Sequence, residues 1–227
     1  GGGEFTRDAD KIERAVTLLE ELTAEFQVPD YQQLLALCYA ERHRTLRFEN
    51  RDQSEQSITK AVGLLEDLVA RYPQNPDYRF TLSTVYSSAL REFGPPPSDT
   101  EVAQIEERAL TALKLLEELH RDHPGVPDYM QSQLSVHRGL GVLFSRTGHF
   151  ADAQLHFQEA IRMYDSLHES ETADVGSIMR STFTRQWYAD MLLGQFRKLK
   201  EAGQEPQQSW LLQAREQLQA CIDTMKP

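Results

Sequence analysis

The feature that most limits how this chain can fold is a motif written three times. Residues 15–22, 61–68 and 112–119 each read as a small residue, apolar residues, a Leu-Leu pair, two acids and a closing leucine. Each run is followed by Pro-Asp-Tyr, at 29–31, 76–78 and 127–129, so that the prolines stand 47 and 51 residues apart. A unit of that length cannot bury its apolar face alone. Self-similarity at such a period therefore points to a stacked array in which neighbouring copies cover one another.

Within each copy the spacing is helical. Ile12, Val16, Leu19, Leu22 and Phe26 fall three or four residues apart, as do Ile105, Ala109, Ala112, Leu116 and Leu119. Such spacing puts each set on one stripe. The Pro-Asp pair then opens a second helix: proline at a first helical position loses no needed hydrogen bond, and aspartate there favours the positive helix end. Pro73, Pro124 and Gly125 stop the helices before them, and Pro95-Pro96-Pro97 must break the chain between two more. Nine helices are expected, near 8–26, 30–47, 54–72, 77–93, 99–122, 128–147, 149–168, 174–200 and 205–225. No segment sustains the alternation of a strand, so the fold class is all-α. The first, third and later odd helices are termed B type here, the even ones A type.

Residues 134–160 carry a more specific pattern. Leu140-Gly141 followed by Phe144 lies on one helix, Gly148 and Phe150 at the turn, and Ala153, Phe157 and Ala160 on the next. This resembles the tetratricopeptide repeat, whose pattern is Trp-x2-Leu-Gly-x2-Tyr, then Ala-x3-Phe, then Pro. His137 stands where that family has tryptophan, and Asp165 where it has proline. Gly141 and Ala153 are small enough for two helices to approach, with Phe144 and Phe157 filling the space beside them. The period is longer than the family's, so the other repeats are extended or degenerate. In the last, Ala214, Leu218 and Cys221 repeat the spacing of Ala153, Phe157 and Ala160. The resemblance implies a right-handed superhelix, or solenoid, of antiparallel helical hairpins over residues 8–227. Residues 1–7 are expected to be disordered or appended. A weaker resemblance, on the Pro-x-Tyr starts and the Leu-Leu-Glu-Glu-Leu helix, is to helical tails behind kinase domains in planctomycete-type bacterial signalling proteins. The chain opens with a B-type helix whose A-type partner is missing, so either residues 8–26 act as a cap or the chain is a piece of a longer protein, the second being favoured.

Charge sorts by helix type. Over the expected boundaries the A-type helices hold 12 Lys/Arg against 7 Asp/Glu, and the B-type helices 9 against 22. By the family resemblance the A helices line the concave groove. Arg44, Arg47, Arg91, Arg138 and Arg146 are the candidate groove residues, with Val142 beside them. Arginine pairs well with carboxylates, so the expected ligand is an extended or helical peptide, acidic in part. A plainer account is that arginines late in a helix complement its negative end. Some family members clamp a C-terminal carboxylate with a basic residue and an asparagine one turn on. Arg138 could supply the first, but Val142 occupies the second place, so no such clamp is expected.

Composition narrows the rest. A net charge of −11 argues against a phosphate-backbone binder, so no nucleic acid is expected. No apolar run approaches the roughly 20 residues that span a bilayer, and no signal peptide opens the chain. A soluble, cytoplasmic setting is favoured, with an extracytoplasmic one open for a tail beyond a membrane anchor. Cys38 and Cys221 lie among helix-forming apolar residues and read as small packing thiols. Trp187 and Trp210 read as packing residues.

Catalytic signatures are missing from the pattern. His120-Arg121-Asp122 copies the start of a kinase catalytic loop, but His123-Pro124-Gly125 follows, without the downstream asparagine. The pairs His120/His123 and His149/His156 lack the ligand-rich setting of a zinc site. No cofactor and no metal are expected, and no enzyme. The expected function is a protein–protein interaction module holding a peptide or protein in its groove, with self-association possible. The alternative is a regulatory or sensory tail of a multidomain signalling protein such as a Ser/Thr kinase.

Overall fold

The computed structural model describes residues 2–47, 49–91, 98–169 and 174–224. Among these residues there are nine α-helices and no strand: α1 (Gly2–Glu25), α2 (Pro29–Leu46), α3 (Arg51–Arg71), α4 (Pro76–Tyr86), α5 (Asp99–Asp122), α6 (Pro127–Thr147), α7 (Phe150–Glu169), α8 (Val175–Glu201) and α9 (Gln208–Thr224). The all-helical class is as expected. None of these helices is long and apolar enough to cross a membrane.

The helix starts follow the sequence chemistry. Pro29 and Pro76 hold the first positions of α2 and α4, and the Asn75 side chain accepts from the backbone N–H groups of Asp77 and Tyr78. Asn50 caps α3 by accepting from Gln53, and Asp174 caps α8 by accepting from Ser177. Ser98 and Glu101 form a reciprocal capping box at α5. Two boundaries differ most from expectation: α1 begins at Gly2, within the segment expected to be disordered or appended, and the expected end of α4 is not reached. The helix expected to reach residue 93 ends at Tyr86 and continues as a 3-10 turn, Ser88–Arg91. The hydroxyls of Ser83, Thr84, Ser87 and Ser88 all donate to carbonyls three or four residues back. Such bonds compete with the helical ladder and weaken it. The expected proline break at 95–97 lies outside the described residues.

The chain divides into two compact units. The first comprises residues 1–92 and 105–132, the second residues 93–104 and 133–227. In the first, the contacts fix helix directions. Arg42 pairs with Glu13 at 2.7 Å, and Tyr39 bonds to Glu20, so partners step in opposite directions along α1 and α2. Arg71–Gln32 and Lys60–Tyr39 show the same for α2 and α3. The A-type helices α2 and α4 run in parallel instead. Tyr78 donates to Asp30 at 2.9 Å and Gln33 to Thr81 at 2.8 Å, both 48 residues apart. Phe80 and Tyr129 meet edge to face at 5.2 Å. The sequence period thus appears in space as the step from one A helix to the next. Val16, Leu19, Leu35, Ala61, Leu65, Leu68 and Leu82 make the core. Each large aliphatic side chain among them stabilises the unit by about 1.5–3 kcal/mol relative to exposure. Phe26, the last member of the expected stripe, lies past the end of α1 and is exposed.

In the second unit α6 and α7 form a tight antiparallel hairpin. Gly148 takes φ +87, and the His149 N–H bonds to the Phe144 carbonyl, the glycine-ended stop of a helix. Gly141 faces Phe157 so closely that a Cβ would sit 2.8 Å from the ring. Phe157, Ala153, Ala160 and Leu140 are buried there. The Tyr188 hydroxyl accepts from Gln158 of α7 and donates to Gln213 of α9. Arg138 of α6 stands 6.0 Å over the ring of Trp187 on α8, a parallel A-to-A contact with a 49-residue offset.

Candidate functional site

The clearest candidate is in the second unit. An open apolar hollow of about 490 Å³ lies between α6 and α8, with the start of α7 in its wall. Its floor is Val142, Phe150, Phe157, Trp187 and Met191, and its polar edge is Ser145, Arg146, Asp190, Gln195 and Lys198. The helical spacing explains the grouping. Val142 and Arg146 are one turn apart on α6, while Trp187, Met191, Gly194 and Lys198 follow one strip of α8. Gly194 leaves open space there, with nothing within 4 Å of a would-be Cβ. Gln195 adds an unusual group: its buried Nε2 has no hydrogen-bond partner among the described residues.

Of the arginines expected to face a groove, Arg138 and Arg146 are both on α6, with Val142 between them. Arg138 spends its guanidinium on the Trp187 face, and Val142 and Arg146 line the hollow. Arg44 and Arg47 belong to the first unit. Arg44 is exposed and bonds to Glu41 on its own helix, with the Nε contact at 3.0 Å. The side chain of Arg91 lies outside the described residues. Trp187 was expected only to pack; it is half-buried and forms part of the hollow's wall. Its spacing from Arg138, one repeat period, was the available signal.

A second hollow, about 670 Å³, lies among α7, α8 and α9. It is the weaker candidate because its polar groups satisfy one another. Tyr188 is bonded on both sides, Arg162 is held by Glu159, and Arg185 bridges Asp165 and Gln217.

Two features escaped the sequence reading. The first is a tie between B and A helices that recurs with the period. Tyr39 bonds to Glu20, and 47 residues on Tyr86 donates to Glu66 at 2.5 Å. Burial, with the neighbouring carboxylate second, pushes both phenols up, Tyr86 well above the ordinary range. Glu20 is held below its usual value chiefly by the Tyr39 bond, with Lys60 adding at 3.3 Å. The aligned Leu-Leu-Glu runs held this signal. At the third such position stands His137, which uses a different partner. Its Nδ1 lies 3.0 Å from Nδ1 of His156, and Phe144 stacks on His156. One ring donates and the other accepts, so the pair is bonded only while at least one Nδ1 is unprotonated. Burial is the main force holding His137 down, to about 4, with His156 second; burial also lowers His156. His156 therefore faces His137 of α6. No group of three or more potential metal ligands occurs among the described residues.

No family model matches the chain, and no curated protein is significantly similar to it.

Proposed function

We propose that this chain is a tetratricopeptide-like protein-interaction module, a solenoid of helical hairpins whose A helices form the binding side. The parallel contacts between successive A helices, offset by one sequence period, support that arrangement. The ligand is a peptide segment carrying an apolar side chain beside a carboxylate. One observation carries this reading. The hollow between α6 and α8 sets an apolar floor of Val142, Trp187 and Met191 against the cationic side chains of Arg146 and Lys198. An aromatic wall supplies area at low entropic cost, and the cations select a carboxylate. Asp190 on the same edge disfavours a doubly acidic neighbour at that point.

Selection of a displayed random-peptide library on the intact chain tests this. Enriched peptides should pair an acid with an aromatic or aliphatic residue and should perturb Trp187 fluorescence. Lys198→Glu with Arg146→Glu should weaken binding at least tenfold, and Arg44→Glu should leave it unchanged. Peptides without acids, or equal binding to all three forms, would sink the reading.

A further inference from the structure

The third copy of the repeat fills one position differently from the first two. Tyr39 and Tyr86 bond there to the carboxylates of Glu20 and Glu66, whereas His137 of α6 bonds to His156 of α7, with 3.0 Å between the Nδ1 atoms. Burial raises both phenols, so they keep their protons at neutral pH and below. Two imidazoles facing through Nδ1 respond to mild acid instead. One added proton still leaves a lone pair to accept; a second removes it and sets two cations side by side.

α7 supplies no spare countercharge to the rings. Glu159 acts on His137 but is held by Arg162, and Asp152, the carboxylate that acts on His156, is exposed. His149, the other imidazole beside Phe144, bonds to Thr147. An opened joint wets both rings, which then take protons near the ordinary value of 6.5, whereas burial in the closed joint holds His137 down to about 4. Falling pH therefore favours the opened form.

The pair adjoins the α6–α8 hollow through its neighbours. Phe144 stacks on His156 at 5.7 Å. Phe157, next in the chain, lies so close to Gly141 that a Cβ there would be 2.8 Å from its ring. Phe157 and Val142, the residue after Gly141, both form the hollow's floor. Parting α6 from α7 at the histidines displaces these two residues, because packed helices shift as whole elements.

We propose that the His137–His156 pair is an acid-operated latch on the hollow: two protonated rings part α6 from α7, the floor loses its shape and the ligand is released. The release rests on the hollow being the peptide site; the opening does not.

The test uses the whole chain with Trp210→Phe, which leaves Trp187 as the reporter. Acrylamide quenching of Trp187 without ligand, and the Kd of one acidic, aromatic peptide enriched from the displayed library, are followed from about pH 7 down to about pH 4. The same measurements are made with His137→Gln/His156→Gln. The peptide's own carboxylate titrates in both cases, so the difference between the two profiles belongs to the pair. The chain with both histidines should expose Trp187 in acid and lose about tenfold more affinity than the variant, with its helical circular dichroism retained. Parallel profiles in the two forms overturn the latch. Loss of the helical signal together with Trp187 exposure also overturns it, making the pair an element of global stability. A peptide that binds neither form at about pH 7, while Trp187 exposure still follows the histidines, overturns the peptide reading of the hollow and upholds the opening. If the double variant does not fold, His156→Phe takes its place, keeping a ring on Phe144 and removing one of the two proton sites.

Discussion

Tyr31 and Tyr78 occupy the same place in successive copies of one motif, each after Pro-Asp at the start of an A-type helix, yet one lies bare and the other is almost wholly buried. Both follow Pro-Asp, and both have a buried leucine four residues on, Leu35 and Leu82. Their surroundings differ in the presence of a preceding A helix: Tyr78 rests on α2 and donates to Asp30, and α2 has no such neighbour among the described residues. The contrast shows that the motif sets a helix start, while burial comes from the stack. Four experiments press on it, from the largest expected effect down.

Truncating Tyr78 to alanine should cost about 3–5 kcal/mol of unfolding free energy, the range for large buried aromatics. Tyr31→Ala should cost under about 1 kcal/mol, as surface changes do. Urea unfolding of both variants gives the difference, and equal losses would break the comparison.

The third repeat sharpens it through His137, which stands where the first two copies have Tyr39 and Tyr86. Above pH 6.5, the ordinary histidine value, its ring is neutral folded and unfolded. Below that, the unfolded chain takes up a proton that the folded pair refuses until about pH 4, so stability falls as pH drops through that window. The loss should reach about 2–3 kcal/mol near pH 4. Thermal melts against pH should show it, and a His137→Gln/His156→Gln double variant should flatten that part of the profile.

Glycines extend the same lesson about context. Gly141→Ala would press on the buried Phe157 ring and should destabilise by about 1–3 kcal/mol. Gly63→Ala, in open space on α3, should stabilise by about 0.5–1 kcal/mol. Opposite signs in denaturant midpoints are the expected result.

The smallest effect separates the two Tyr–Glu ties. Tyr86→Phe removes the hydrogen bond to Glu66 and should cost about 1 kcal/mol. Tyr39→Phe leaves Glu20 paired with Lys60, so its cost should be about half of that. Calorimetric melts of the two variants compare them directly.

Much of the helical order was legible because it is a local property. Period-3.6 apolar stripes, Pro at first positions and glycine at helix ends act over a few residues, and they placed most helix ends, though not the start of α1 or the end of α4, to within a few positions. The α4 end was missed because four hydroxyls, each unremarkable alone, compete together with the ladder. The candidate site was legible only in part. Arg138, Val142 and Arg146 could be found on one helix by spacing. Trp187, Met191 and Lys198 come from a segment about fifty residues on, and no local rule joins them to α6. The His137–His156 pair was hidden for the same reason, since its two rings come from different helices nineteen residues apart.

The sequence by itself determined that this chain is helical, that its helices come in a repeated pair, and where most of them begin, because backbone hydrogen bonding and stripe spacing are settled between near neighbours. Only the tertiary structure decided which copies of the motif are covered and which are bare, which arginines stand beside an apolar hollow, and which histidines touch. Those outcomes depend on helices brought together across about twenty to fifty residues of chain, where packing between elements rather than the identity of any one residue sets burial and charge.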